Sequence, residues 1–86
     1  MNDEHLRHQH AAVWAALEEI AERREVSMSR LAIQSGHDST AFNKSKRDSA
    51  GGPRFPTMET VARVLALHQM TFEQFGALVD EKMGRQ

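Results

Sequence analysis

Apolar residues recur at three- and four-residue spacing in three stretches of the chain, which is the period of a helix with one buried face. The first stretch covers residues 10–25, and its apolar residues are Val13, Leu17, Ile20 and Ala21. The second follows Thr57 and ends near His68, with Met58, Val61, Val64 and Leu65. The third follows Thr71, with Phe72, Phe75, Leu78 and Val79. Thr57 and Thr71 are suitable N-caps, and Gln74 completes a capping box with Thr71.

Two shorter helices are predicted between the first stretch and the second. Ser27 can cap a helix from Met28 to Ser35, which Gly36 ends. Asp38 or Ser39 can cap the next helix, which runs to about Arg47. Residues 48–56 contain two glycines and two prolines and are predicted to form a loop, without any strand.

These elements predict an all-α fold: one compact domain of five helices over residues 10–80. Residues 1–9 form an extension that can continue the first helix, and residues 81–86 form a tail. The chain has 86 residues, no cysteine, no apolar run of membrane-spanning length and no basic signal region at its start. We therefore expect a cytoplasmic protein without a membrane partner.

The second and third predicted helices have the pattern of a helix-turn-helix motif. Ala32 is the small residue where the two helices meet, and Gly36 supplies the turn. Leu31 and Phe42 are the expected buried anchors. Ser35 and His37 flank the turn at positions where an apolar residue is more usual.

The outward face of the third predicted helix follows from its single large apolar residue. With Phe42 inward and about 100° per residue, the expected base contacts are Thr40, Asn43, Lys44 and Arg47. The expected phosphate contacts are Ser27, Ser29, Arg30, Ser39, Lys46 and Arg54. We expect Lys44→Ala and Arg47→Ala each to weaken DNA binding with little change in thermal midpoint. The alternative is a solvated helix face without a ligand.

Charge is unevenly distributed along the chain, although the formal net charge is only -1. Residues 27–57 carry five basic and two acidic side chains, whereas residues 1–26 carry three basic and six acidic ones. The basic stretch coincides with the predicted helix-turn-helix, which favours a nucleic-acid ligand.

Residues 13–79 resemble the phage lambda repressor-like helix-turn-helix fold. The resemblance is closest in two stretches, Asp38-Ser39-Thr40-Ala41-Phe42-Asn43-Lys44-Ser45-Lys46-Arg47 and Pro53-Arg54-Phe55-Pro56-Thr57-Met58-Glu59-Thr60. They are similar to the DNA-binding domain of LexA-like phage-repressor regulators from alphaproteobacteria. The resemblance implies a transcriptional regulator, a repressor, with five helices, a recognition helix at about residues 39–47 and a dimer on a two-fold related operator. The 86 residues do not include the self-cleaving peptidase domain that often follows in that family, so self-cleavage is not part of this expectation.

Other interpretations remain open beside this one. Phe72, Phe75, Leu78 and Val79 can form a homodimer interface or fill the core of a single chain. A protein-interaction module, such as an antitoxin or adaptor, can use the same architecture. No arrangement of nucleophile and base indicates an enzyme, no cofactor is expected, and a small-molecule inducer is not expected to bind within this domain. A metal site at His5, His8 and His10 is disfavoured against solvated side chains.

Overall fold

Four α-helices form most of the described structure. The computed structural model describes residues 3–84, with α1 at Asp3–Arg23, α2 at Met28–Gln34, α3 at Met58–Leu67 and α4 at Phe72–Lys82. Between α2 and α3 lie a 3-10 helix, Lys44–Lys46, and two short antiparallel strands, β1 at Asp48–Ser49 and β2 at Gly52–Pro53. No described helix is both long and apolar enough to cross a membrane.

The helix starts predicted from caps at Ser27, Thr57 and Thr71 are confirmed, whereas no helix starts at Asp38 or Ser39. Ser27 Oγ accepts a hydrogen bond from Arg30 N at 3.0 Å, and Thr57 Oγ1 accepts one from Thr60 N at 3.1 Å. Thr71 and Gln74 form the reciprocal capping box at α4. Each cap satisfies a backbone N–H that the first helical turn leaves without a partner, which fixes where the helix begins.

The core lies where α1 packs on α4 and is closed by α2 and α3. Its fully buried side chains are Leu17, Ile20, Leu31 and Val64. At the edge of the α1–α4 contact, Lys82 forms an ion pair with Glu19, and Arg23 forms a second one with the same carboxylate. The hydrogen bond from Lys82 lowers the pKa of Glu19, although partial burial acts in the opposite direction. The ion pairs therefore add to an interface that is mainly apolar.

The predicted third helix is not an α-helix, so the described residues contain four α-helices instead of five. Residues 37–47, which we call the turn segment, hold consecutive turns whose backbone bonds span three residues, including Ala41 N to Asp38 O and Lys46 N to Asn43 O. Asn43 is extended, with φ −62° and ψ 148°, and interrupts any helical run. Asp38 accepts bonds from both the backbone N and the hydroxyl of Thr40, which favours a turn over a helix.

The prediction of a strandless loop at residues 48–56 is also wrong. Asp48 pairs with Pro53 and Ser49 with Gly52, leaving a two-residue connection. Gly52 has φ +124°, a conformation that other residues rarely adopt. The hydroxyl of Ser49 donates to Gly52 O at 3.1 Å. The hairpin therefore forms because a glycine stands where the backbone has a positive φ and because the Ser49 side chain bonds across the turn.

The predicted extension and tail fall at the ends of described helices. Residues 3–9 belong to α1, so the described part of the extension is helical. α4 ends at Lys82, within the predicted tail. Residues 1–2 and 85–86, which belong to those two predicted segments, lie outside the described residues.

Candidate nucleic-acid interface

The unpaired basic side chains are concentrated in one part of the described chain. The ion-paired bases are Arg7, Arg23, Arg47, Arg63 and Lys82, and Arg24 donates to the carbonyl of His68. The remaining bases of residues 3–84 are exposed and have no carboxylate within 4.0 Å: Arg30, Lys44, Lys46 and Arg54. All of them lie within residues 27–57, so the charge excess of this stretch is available to a ligand.

The turn segment presents three exposed polar side chains next to one another. Asn43 and Lys44 are exposed, and the Asn43 side chain makes no capping bond to the 3-10 helix that follows it. Lys46 contacts only the hydroxyl of Thr40, with Nζ 3.5 Å from Oγ1. These side chains can therefore donate and accept hydrogen bonds outside the molecule.

Thr40 is exposed, but its hydroxyl is already engaged. It donates to the carboxylate of Asp38 at 2.6 Å, and the Thr40 backbone N donates to the same oxygen at 2.9 Å. These two bonds lower the pKa of Asp38. The Thr40 hydroxyl keeps acceptor capacity only, so it can receive a hydrogen bond from a ligand but does not offer its own proton.

The predicted phosphate contacts fall on three separate elements. Ser27 and Arg30 lie at the start of α2, where the Ser27 hydroxyl is occupied by its capping bond. Ser29 and Ser39 are exposed, and their side chains form no hydrogen bond with the described residues. The structure brings together Lys46, from the turn segment, and Arg54, which follows β2, because both line one cleft.

Arg47 points inward, contrary to the predicted outward orientation. Its side chain is 11% exposed, and Nη1 donates to Glu18 at 3.0 Å. Nε and Nη2 both donate to the carbonyl of Phe42, at 3.2 and 2.9 Å, and the guanidinium carbon lies 4.7 Å from the ring centre of Trp14. The helical phase used for the prediction does not apply, because this segment is not a helix. We therefore remove Arg47 from the base-contacting residues.

One face of α1 holds the turn segment through side chains spaced four residues apart. His10 Nε2 lies 2.7 Å from Arg47 O and 3.1 Å from Arg54 O, and since carbonyl oxygens only accept, this nitrogen carries a proton. Trp14 Nε1 donates to Arg54 O at 3.0 Å, and Glu18 completes the row with its bond to Arg47. Sequence reasoning missed this role, although polar and aromatic residues at four-residue spacing beside the apolar stripe were a usable signal.

The two polar residues beside Gly36 have internal partners. Ser35 is buried and its hydroxyl donates to the carbonyl of Leu31. His37 Nε2 lies 2.8 Å from the hydroxyl of Thr60 on α3. Gly36 itself has φ +87°, as expected for the turn. Polar residues are therefore accommodated at these positions because each is hydrogen-bonded within the fold.

The apolar residues of α4 divide between core and surface. Phe75 and Leu78, predicted to form a dimer interface, are 8% and 5% exposed in the single chain and fill its core. Val79 is partly buried against that core, and Phe72 is 53% exposed. Only Phe72 keeps most of its apolar surface available for a partner, and the homodimer stays a prediction.

The histidines named as an alternative metal site are not arranged as one. His10 is hydrogen-bonded to backbone carbonyls, as described above. Within residues 3–84 no three side chains from His, Cys, Asp or Glu are grouped so that they could hold a metal ion.

No protein-family model, curated protein or solved structure matches this chain. The residues described above are therefore the basis on which a function can be assigned.

Proposed function

We propose that the chain is a transcriptional regulator, a repressor, that binds double-stranded DNA sequence-specifically through the turn segment and Arg54. The observation that carries this proposal concerns the basic side chains of residues 3–84 that have neither a carboxylate nor a carbonyl partner, all of which lie within residues 27–57. Such an exposed side chain can neutralise a phosphate and release its counterions, which drives binding to duplex DNA. In this proposal α2, the Gly36 turn and the turn segment take the place of a helix-turn-helix, with a series of turns where the recognition helix was predicted.

The exposed residues of the turn segment divide by the contacts that they suit. An asparagine amide can donate to and accept from the edge of adenine, and a lysine can donate to the acceptors of guanine, so Asn43 and Lys44 are assigned to bases. Thr40, whose hydroxyl proton is used within the protein, is a secondary base contact. Lys46 and Arg54 face a common cleft and are assigned to the DNA backbone.

The carboxylates of α1 are largely compensated. Glu18, Glu19 and Glu22 line one surface groove together with Arg23 and Lys82, and of these three acids Glu22 alone forms no ion pair. The bases without a partner do not line this groove, so a chain of nearly neutral net charge can still bind DNA in one orientation. A single turn segment reads few bases, and we propose that a homodimer provides the second half of the site.

DNA titrations followed by fluorescence anisotropy at two salt concentrations test the proposal. One duplex carries random sequence and the other carries the region upstream of the protein's own coding sequence. We expect salt-sensitive binding with a preference for the upstream duplex. Lys46→Ala and Arg54→Ala should weaken binding to both duplexes and each reduce the salt slope by about 1.

Two further variants separate base reading from charge. Asn43→Ala should reduce the preference for the upstream duplex, by roughly 1–3 kcal/mol, and leave the salt slope unchanged. Arg23→Ala removes a paired base on α1 and serves as the control, with DNA affinity close to that of the unmodified protein. If neither duplex binds at low salt, DNA binding is refuted, and a protein-interaction module becomes the leading hypothesis.

A further inference from the structure

A cleft of about 250 Å³ opens between the turn segment and residues 54–57. Its aromatic wall is formed by Trp14, Phe42 and Phe55, of which Trp14 and Phe42 belong to the core. Its Lys and Arg side chains are Lys46 and Arg54, which come from different elements and form no ion pair. The cleft therefore combines an apolar wall with two positive charges, against one carboxylate, that of Asp38.

The size and the charge of the cleft restrict what can occupy it. Its volume corresponds to roughly eight water molecules at about 30 Å³ each, which is enough for one six-membered ring with a small substituent. Clefts for drug-sized ligands are usually larger, about 300–1,000 Å³. The two basic groups favour an anionic substituent, and the wall favours a flat apolar body that can make edge or face contacts with aromatic rings.

We propose that this cleft binds a small aromatic carboxylate, with the carboxylate between Lys46 and Arg54 and the ring against Phe42 and Phe55. This proposal departs from the expectation that no small-molecule inducer binds within this domain, because Lys46 and Arg54 line a common cleft only in the folded chain. If the cleft is filled, these two bases are no longer available to DNA phosphates. The carboxylate therefore competes with DNA, a consequence that rests on the proposed function, whereas binding of the carboxylate itself does not.

One acidic group on the cleft opposes an anion and supplies a test in the opposite direction. Asp38 lines the cleft, and its charge is maintained by the two hydrogen bonds from Thr40. An asparagine at this position keeps an oxygen that can accept those bonds but removes the charge. Asp38→Asn should therefore strengthen carboxylate binding, by about twofold to fivefold for a charge that is partly screened by solvent.

Binding is measured by titrating benzoate into the 15N-labelled full chain at constant ionic strength. The chain has one tryptophan, so its indole N–H, which donates to Arg54 O beside the cleft, gives a single resolved signal. We expect this signal to shift saturably with a dissociation constant in the millimolar range, as for a ligand of this size. Benzyl alcohol, which lacks the charge, and inorganic phosphate, which lacks the ring, should each bind at least threefold more weakly.

The variants Lys46→Ala and Arg54→Ala should each weaken benzoate binding by threefold to tenfold. Neither side chain forms an ion pair, and the bonds that hold residue 54 come from its backbone, so both variants should keep the thermal midpoint of the unmodified protein. Lys44→Ala, with the same loss of charge outside the cleft lining, is the matched control and should bind benzoate normally. A shift that does not saturate, that benzyl alcohol reproduces, or that survives in both cleft variants overturns the proposal.

A DNA titration in the presence of saturating benzoate tests the competition. We expect the affinity for duplex to fall more than it does in sodium chloride of equal ionic strength. Benzoate binding with unchanged DNA affinity overturns the competition. If benzoate binds in the cleft but no duplex binds at any salt concentration, the proposed function fails and the carboxylate site stands.

Discussion

Arg47 is expected to act on the stability of the fold and not as a DNA contact, which reverses the expectation from sequence. Replacing Arg47 with alanine removes the bond to Glu18, two bonds to the carbonyl of Phe42 and the contact with the Trp14 ring. Hydrogen bonds that involve a charged group contribute about 1.5–3 kcal/mol, and a cation–π contact about 0.5–2 kcal/mol. Because the partners are not independent, we expect a total loss of about 2–4 kcal/mol in the free energy of unfolding.

Thermal and urea unfolding followed by circular dichroism measures this loss. For a domain of this size, each kcal/mol lowers the midpoint by about 4–8 °C, so Arg47→Ala should lower it by roughly 8–32 °C. Lys44→Ala is the control and should remain within about 0.5 kcal/mol of the unmodified protein, because its side chain is exposed and unpaired. A double-mutant cycle with Glu18→Gln should give a coupling of about 1 kcal/mol.

The salt dependence of DNA binding distinguishes the two roles of Arg47. If its guanidinium holds the turn segment in place, Arg47→Ala weakens DNA binding but leaves the salt slope unchanged, because no phosphate contact is lost. An unchanged thermal midpoint together with a salt slope reduced by about 1 would refute this reasoning and restore Arg47 as a direct contact.

Three further predictions concern single residues. Burial, with a smaller contribution from Arg24, lowers the pKa of His68, so the unfolded chain binds a proton more readily and stability should fall as the pH drops below 6.5. The thermal midpoints at pH 8 and pH 5 should therefore differ less in His68→Gln than in the unmodified protein, and an equal difference in both contradicts this. Glu19→Gln should lower the thermal midpoint by a few degrees at neutral pH, and this difference from the unmodified protein should shrink as the pH falls below 4.5, where Glu19 is protonated in the unfolded chain. A difference that stays constant across that range excludes the ion pair as its cause. Gly36→Ala should destabilise the fold by about 1–2 kcal/mol in urea unfolding, because the φ of Gly36 is +87° and an added Cβ would lie 3.2 Å from Arg63. Gly76→Ala, where the added Cβ meets open space on α4, should stabilise the fold by about 0.5–1 kcal/mol, and the same sign in both variants would show that φ does not decide the effect.

The parts of the fold that could be predicted depend on local interactions. The three long helices follow from the spacing of apolar residues, and the starts of α2, α3 and α4 follow from hydroxyl groups that accept bonds from the backbone three residues later. The start of α1 at Asp3 lies several residues before the predicted one. The burial of Leu31, Ala32 and Phe42 also follows from this spacing together with the tight turn at Gly36. In each case the contact that determines the structure is made either to a residue within about four positions in sequence or by the apolar face of a regular helix.

The turn segment could not be predicted in the same way, because distant and local effects both oppose a helix there. Asp38 and Thr40 form a side-chain turn, and Asn43 leaves the helical region. The contacts from His10 and Glu18 then fix Arg47 inward, and they join residues 37 and 29 positions apart. The direction of a side chain follows from helical phase only when the backbone is helical. Because the segment was wrongly predicted to be a helix, Arg47 was wrongly predicted to face outward.

The bonds from His10 and Trp14 to the carbonyls of residues 47 and 54 limit which pieces of the protein can function alone. A peptide of residues 27–57 would contain every unpaired base of the described chain, but it would lack both donors, which lie 37 to 44 residues away in sequence. Such a peptide would have the positive charge of the proposed DNA-binding surface, but the turn segment and residue 54 would not be held in their folded positions. Transplanting the basic stretch onto another scaffold therefore requires the matching face of α1 as well, and a mutation that loosens α1 would change the surface presented to DNA even though no residue of α1 contacts DNA in the proposal.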